Sequence, residues 1–490
     1  MSTPSAVIVP PAAPPTRRRP VGIRMLIPLA VGATILLLPA PEGLSPGAWR
    51  YFALFVAVIA GIIAEPIPAA AVGLVGLVVA GAFRMVRESP ADSTSWAVSG
   101  FANATVWLVF TAYMLSLGYS QTGLGRRIAL HLIKVLGQSP LGLGYAVTFA
   151  DLALAPVTPS VTARSGATLY PVVRQIPELY DSRPNDPSAR RIGAYLLYTA
   201  FAGSTVTSSM FMTAMAPNLL AVTLAAKIAN VSISWTDWFI GFAPLGILLI
   251  AVLPAALYKL FPPRIKAAPE APGWARAQLR EMGPISRAEA TLLGLISVAL
   301  ALWIGGGRFI DPTMVAMAVV ALMVVLRVVT WAQVTGHAEA WNVLVWFAAV
   351  VALAGGLAET GLVTWMAESI APALAGLGRY LTIVTLIGAF FFVHYLFASI
   401  TAHTATLYAV FLAVGVQTGA ATPKAWAMLL AFALGIMSIL TSYASGQNPI
   451  YYGCGYIARR DFWVLGFVLG VTFFAAYMAI IVPWLAWLGI

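Results

Sequence analysis

Apolar stretches long enough to cross a lipid bilayer recur from residue 22 to residue 489, and no soluble domain has room between them. A hydrocarbon core of about 30 Å takes roughly 20 helical residues to span. Crossings are expected near 22–40, 50–63, 67–84, 101–120, 195–225, 234–261, 289–304, 309–329, 340–358, 424–458 and 462–488. With 60% hydrophobic and 9% charged residues, the chain needs lipid as its solvent. Two further apolar blocks, 139–177 and 380–417, are broken midway by Pro, Ser, Thr and Gly. They read as re-entrant hairpins, because non-helical backbone at membrane depth survives only where protein or water satisfies its polar groups. The expected fold is an all-α polytopic membrane protein of about 11 transmembrane helices plus two re-entrant hairpins.

The charge distribution fixes the expected orientation. A cytoplasmic N-terminus puts most of the 28 Lys and Arg residues on the cytoplasmic side, including Arg17, Arg18, Arg19, Arg126, Arg127, Arg190, Arg191, Arg264, Arg459 and Arg460. The net charge of +11 is therefore the positive-inside surplus and not a nucleic-acid footprint. Residues 1–20, Pro-rich and ending in an Arg cluster, read as a disordered cytoplasmic tail. Cys454 is the only cysteine, which excludes an internal disulfide or a thiolate metal cluster.

An internal repeat locates the working parts. Asn103-x-x-Val106-Trp107 recurs as Asn342-x-x-Val345-Trp346 (342 − 103 = 239), Thr122-Gly123-Leu124 as Thr360-Gly361-Leu362 (360 − 122 = 238), and Ser160-x-Thr162-Ala163-Arg164 as Ser399-x-Thr401-Ala402-His403 (399 − 160 = 239). A first crossing at 21–49 is then followed by one repeat at 50–261, a cytoplasmic linker at 262–288 and a second repeat at 289–490. Each repeat holds an odd number of crossings, so the two lie inverted. Inverted repeats with interrupted helices are the architecture of secondary transporters, whose solute site forms where the broken elements meet.

The tips of the hairpins supply donors. In the first, Pro156 and Pro159 break the descending helix just before Ser160, Val161, Thr162 and Arg164. The free N–H groups and positive dipole end of the helix that follows favour an anion. The second tip repeats the pattern with Ser399, Thr401 and His403, so that a titratable side chain takes the place of a permanent cation. An ionisable residue at membrane depth marks a functional site by default; the competing readings are a structural Arg164–Asp151 pair and a neutral, hydrogen-bonded His403. Two crossings are broken as well, around Thr213 and Asn218 in one and Ser445, Gly446, Gln447 and Asn448 in the other. Four interrupted elements are expected to converge on one cavity for a small anionic substrate.

These blocks, Phe101–Trp107, Pro156–Arg164, His394–His403 and Gly446–Gly455, resemble the divalent anion:sodium symporter family, in its branch of citrate/succinate antiporters and 2-oxoglutarate/malate translocators. The resemblance covers most of the chain. It implies a homodimer in a bacterial inner membrane, with a scaffold from crossings one to four and seven to nine. A transport domain of the hairpins with crossings five, six, ten and eleven would slide against it as an elevator. In the family, a Ser-Asn-Thr signature at each tip binds substrate carboxylate and frames sodium. Here the signatures read Ser160-Val161-Thr162 and Ser399-Ile400-Thr401, without either asparagine. Arg164 and His403 would then stand in for sodium, and the expected function is sodium-independent exchange of di- or tricarboxylates by a protein that is not an enzyme and needs no cofactor. The alternative is a sodium-coupled symporter of dicarboxylate or sulfonate anions.

Overall fold

In a computed structural model, residues 21–307, 309–374 and 376–490 are described, so the expected tail at 1–20 lies outside the described residues. The first half carries α1 (Val21–Leu37), α2 (Pro46–Ala64), α3 (Ala69–Ala82), α4 (Pro90–Val98), α5 (Ala104–Thr122), α6 (Leu124–Leu136), α7 (Pro140–Leu154), α8 (Gly193–Met210), α9 (Ala216–Ala229) and α10 (Trp235–Leu260). After α11 (Glu270–Glu281) come α12 (Arg287–Gly305), α13 (Pro312–Val325), α14 (Ala338–Glu359), α15 (Leu362–Leu374), α16 (Arg379–Phe392), α17 (Ile400–Thr418), α18 (Pro423–Ile436) and α19 (Arg459–Trp487). Among the described residues there is no strand. An all-helical chain is what lipid allows, since each helix satisfies its own backbone groups.

Among the described residues, nine helical segments are long and apolar enough to cross a membrane. Three of them, Pro140–Val157, Arg379–Leu396 and Ile400–Thr418, are arms of the two expected hairpins. The crossing expected at 195–225 divides into α8 and α9, and the one at 424–458 divides after α18. The breaks split long apolar runs into pieces too short to span alone, which is why the expected crossings and the long helices do not map one to one.

Local chemistry sets many of the helix boundaries. Ser45, Ser89, Ser139, Ser234, Ser286 and Thr422 each accept a backbone N–H at the start of a helix. Leu124 and Leu362 open new helices directly after Gly123 (φ +78) and Gly361 (φ +84), so the repeated Thr-Gly-Leu triplets both make a left-handed turn. A side chain would be strained there, which is the reason for glycine.

The centre of the molecule is α8 against α18. Every residue of α8 is buried, and nearly every residue of α18. The Ser209 hydroxyl joins them, donating to Phe432 O at 2.8 Å and accepting from Ile436 N at 3.0 Å. Around this pair α14 packs closely on α2, α3 and the turn before α5. Apolar packing in lipid rewards small residues, which let backbones approach. Tyr51 donates to Leu353 O at 2.7 Å beside Gly356, where a Cβ would lie 2.1 Å from the phenol oxygen.

Gly100 makes such a contact against α14, where a Cβ would come 2.0 Å from Ala348 O. Gly100→Ala is expected to lower the melting temperature of the detergent-solubilised protein by several degrees. Gly294→Ala, in a helix with nothing within 4 Å of the new carbon, is expected to leave it unchanged or slightly raised. Scanning fluorimetry of the two variants measures the difference.

Candidate functional site

The first tip is built by a chain that runs out of α7 through a tight turn at Ala155–Val157, continues extended through Thr158 and Pro159, and re-enters as a π helix at Thr162–Leu169. Ser160 caps that helix, its Oγ accepting from Ala163 N at 3.1 Å while Arg164 N donates to Ser160 O at 2.9 Å. At the second tip Ser399 does the same work at the start of α17. Its Oγ accepts from Ala402 N at 3.4 Å, and His403 N donates to Ser399 O at 3.0 Å. Ser399 Oγ donates to no group among the described residues, and Ser160 Oγ has the Tyr113 hydroxyl as its neighbour. Thr162 is exposed and its repeat counterpart Thr401 half-buried, and neither hydroxyl has a partner among the described residues. Tyr113, from α5, faces Ser160.

The two breaks are also built alike. Asn218 Nδ2 donates to Ser208 O at 2.8 Å and Phe211 O at 3.0 Å. Asn448 Nδ2 donates to Ser438 O at 2.7 Å and Thr441 O at 2.5 Å. Donor and both acceptors shift together by 230 residues (448 − 218, 438 − 208, 441 − 211). Each amide stands in for the helical N–H groups that the break removes, and those carbonyls would otherwise be orphaned in a dry interior.

Tips and breaks meet. Ala216 N donates to Pro159 O at 2.9 Å, and the Thr213 hydroxyl donates to Pro156 O, tying the first break to the first tip. Ile400 N donates to Ala444 O at 3.0 Å, tying the second break to the second tip. The second break also touches the first tip: Ser165 Oγ and Tyr451 Oη are 2.9 Å apart, and a Cβ at Gly446 would come 2.1 Å from Thr162 Oγ1. The open side carries Thr162 and Gly446, with Ser399, Thr401 and Ser445 half-buried beside them. Ser445 Oγ donates to Gln447 Oε1 at 2.6 Å and leaves the buried Gln447 Nε2 without a partner.

The two ionisable tip residues are seated differently from solute-facing charges. Arg164 is fully buried, and all five of its N–H groups are engaged. Nε donates to Asp151 Oδ2 at 3.0 Å, Nη1 to Thr158 O at 3.0 Å and Ala214 O at 2.8 Å, and Nη2 to Ser208 Oγ at 3.0 Å and Thr207 Oγ1 at 3.4 Å. A guanidinium has no further donors. The side chain therefore pins two pieces of irregular backbone, at Thr158 and Ala214, and two hydroxyls of α8 to the carboxylate of α7. Its counterpart His403 is fully buried too. Its Nδ1 lies 3.3 Å from His394 Nδ1, and its ring is enclosed by Phe390 (4.4 Å between centroids) and Phe397 (5.0 Å). Phe390 occupies the repeat position of Asp151 (390 − 151 = 239), so the ion pair of the first hairpin is an aromatic edge contact in the second.

Val161 and Ile400, at the asparagine positions of the resembled signatures, are buried apolar side chains and offer a solute nothing polar. Asn218, Asn448 and Thr213 are also buried, with donors spent on backbone carbonyls, whereas the buried Gln447 keeps its Nε2 without a partner among the described residues. The polar run that holds Thr207 and Ser208 was expected to lead into the first break, but sequence reading gave His394 and Tyr451 no role in this assembly. His394 could have been suspected, since a second histidine in the same hairpin can hold the first; Tyr451 carries no such signal, because its partner Ser165 is remote in sequence.

Two expectations follow. Arg164→Ala strands a buried carboxylate, at a cost of about 3–5 kcal/mol, and is expected to give aggregated or poorly folded protein by fluorescence-detected size exclusion, whereas Asp151→Asn combined with Arg164→Met recovers a monodisperse peak. A monodisperse Arg164→Ala that has lost only anion affinity would place the guanidinium on the solute instead. Because among the described residues no carboxylate pairs with His403, which is fully buried, wild type and His403→Gln are expected to share one pH profile when binding a disulfonate that does not titrate in the range tested.

Comparison with known proteins bears on this arrangement. The chain is 43% identical over 479 residues to the L-tartrate/succinate antiporter of Shigella flexneri, covering 95% of this chain and 98% of that one. It is 45% identical over 462 residues to the L-tartrate/succinate antiporter of Escherichia coli strain UTI89, covering 92% and 95%. Among solved structures, the fold is similar to the Alcanivorax borkumensis YdaH transporter (TM-score 0.60, 16% identity, 90% of this chain and 99% of that one) and to Neisseria gonorrhoeae MtrF (TM-score 0.56, 14% identity, 94% and 93%). The family described as the sodium:sulfate symporter transmembrane region matches residues 21–490. With its broken helices and paired tips already pointing to a carrier, this multi-pass membrane protein belongs to that divalent anion transporter family.

Proposed function

We propose that the protein exchanges small dicarboxylate anions across a bacterial inner membrane, with its N-terminus in the cytoplasm, by moving one site between the two sides as an elevator. The observation that carries this reading is the mirrored pair of tips. Ser160 and Ser399 each cap the next helix, and among the described residues Thr162 and Thr401 hold unpartnered hydroxyls beside them. A dianion with a carboxylate at each end matches two donor sets related by an inverted repeat. The extensive identity to L-tartrate/succinate antiporters supports a dicarboxylate as the solute.

In this reading the binding charge comes from neutral donors: Thr162, Thr401, the two tip serines, Gln447 Nε2 and the positive helix ends. Arg164 acts through Asp151 and the tip backbone, as a positioning residue. Asn218 and Asn448 hold the breaks open so that donors can converge. A rigid partner is needed for the tips to move against, and in a homodimer the helices around α14 would provide it. With Val161 and Ile400 at the tips, neither signature offers an amide oxygen to sodium, so exchange of one dianion for another, which moves no net charge, needs no cation.

The test is counterflow in proteoliposomes loaded with succinate. External L-tartrate is expected to enter equally with sodium or choline outside, and not to enter liposomes lacking internal dianion. Hydrogen bonds to charged groups contribute about 1.5–3 kcal/mol, so Thr162→Val and Thr401→Val should each weaken tartrate affinity by roughly ten- to a hundredfold. Uptake that stays at background until sodium is added would select the sodium-coupled symporter and sink the exchange reading.

A further inference from the structure

Away from the tips, α6 and α11 lie side by side and enclose a cleft of about 530 Å³. Helix α6 turns Leu124, Leu130 and Ile133 inward, and α11 buries Ala271 and Ala275. The groove between their polar sides is lined by Arg127, His131, Lys134, Arg276 and Arg280 and closed by Gly283 and Pro284. No carboxylate lines it.

Of these cations only Arg127 is compensated. It pairs with Glu289 at 2.6 Å and donates to Gly283 O at 2.9 Å, which fixes the floor of the cleft. Lys134, Arg276 and Arg280 are exposed, and among the described residues their side chains make neither an ion pair nor a hydrogen bond. Three like charges around one groove repel one another unless an anion sits between them.

The surroundings say which anion. The floor adjoins the start of α12, a helix long and apolar enough to cross the membrane, so the cleft sits at a membrane–water boundary. Exposed apolar side chains follow the lining residues along the chain: Val135, after Lys134, is 71% exposed and Ile285, after Pro284, 50%, while Leu293 (44%) lies one helical turn beyond Glu289, the carboxylate paired with Arg127 at the floor. A soluble anion has no use for these side chains, whereas a phospholipid has a phosphate for the cations and acyl chains for the apolar groups. Basic pockets between membrane helices recognise anionic headgroups in this way.

We propose that this cleft binds the headgroup of an anionic phospholipid, with the phosphate among Lys134, Arg276 and Arg280 and the acyl chains along Val135, Ile285 and Leu293. Helix α6 leads directly into α7 of the first hairpin, so a lipid held there anchors the segment from which that hairpin hangs. The inference does not depend on which solute is carried.

The test uses the full-length protein in nanodiscs and in delipidated detergent, with phosphatidylglycerol and phosphatidylcholine of the same acyl chains as probes, and native mass spectrometry to count retained lipid. Wild type is expected to retain phosphatidylglycerol in preference to phosphatidylcholine, and less of it at high salt. The triple variant Lys134→Gln/Arg276→Gln/Arg280→Gln should bind phosphatidylglycerol on the order of a hundredfold more weakly, while its melting temperature in phosphatidylcholine alone matches wild type, since all three side chains are exposed. Equal retention of phosphatidylglycerol by wild type and the triple variant would overturn the proposal. So would thermal stabilisation by soluble glycerophosphate or inorganic phosphate as strong as that by phosphatidylglycerol, because the cleft would then serve a free anion.

Discussion

In hydrocarbon, a break in a helix leaves carbonyls and amides with no water to turn to, and every unusual feature of this protein answers that constraint. Asn218 and Asn448 each donate two hydrogen bonds across a break. Ser160 and Ser399 each cap the helix that leaves a tip. Arg164 spreads five donors over a carboxylate, two carbonyls and two hydroxyls. Once these demands are met, four non-helical segments can lie beside one another in the middle of the protein.

The two hairpins meet that demand with unequal chemistry. A buried Arg164–Asp151 pair holds the first, and a His403–His394 contact between phenyl rings holds the second. Buried ion pairs contribute little net stability over an apolar replacement but are costly to break by half. The first hairpin is thus locked to the first break through Ala214 and Ser208, whereas the second is held by apolar packing, by the backbone bond from Ile400 to Ala444 and by the Tyr443 hydroxyl on Tyr395 O. The asymmetry leaves the second tip with fewer polar ties than the first.

In the proposed function a small anion would meet hydroxyls and helix ends in place of full charges. That suits a carrier. A buried unpaired cation would bind a dianion tightly and be left exposed to a dry interior after release, whereas neutral donors lose less when the solute leaves. Gly446 shows how close the fit is, since the atom it lacks would lie against Thr162.

Much of this was legible in the sequence. Apolar runs of membrane length dictated an all-helical chain, because no other open structure satisfies its backbone in lipid. Matches at a constant offset exposed the duplicated tips, and Pro, Ser and Gly within apolar runs exposed the breaks, because each removes or competes for a helical hydrogen bond. The roles of Arg164 and His403 were not legible, although the pairing with Asp151 stood among the readings the sequence left open. Whether an ionisable side chain faces a solute or braces a backbone depends on which partners the fold brings within about 3 Å, and Ala214, Ser208 and Thr207 come from another helix. The same holds for the basic cleft: the sequence gives the charges of α6 and α11, but only the packing of the two helices turns separate cations into one groove. Periodicity and composition act along the chain and survive in one dimension; hydrogen-bond partners and charge compensation are distances in space, and tertiary structure alone decides them.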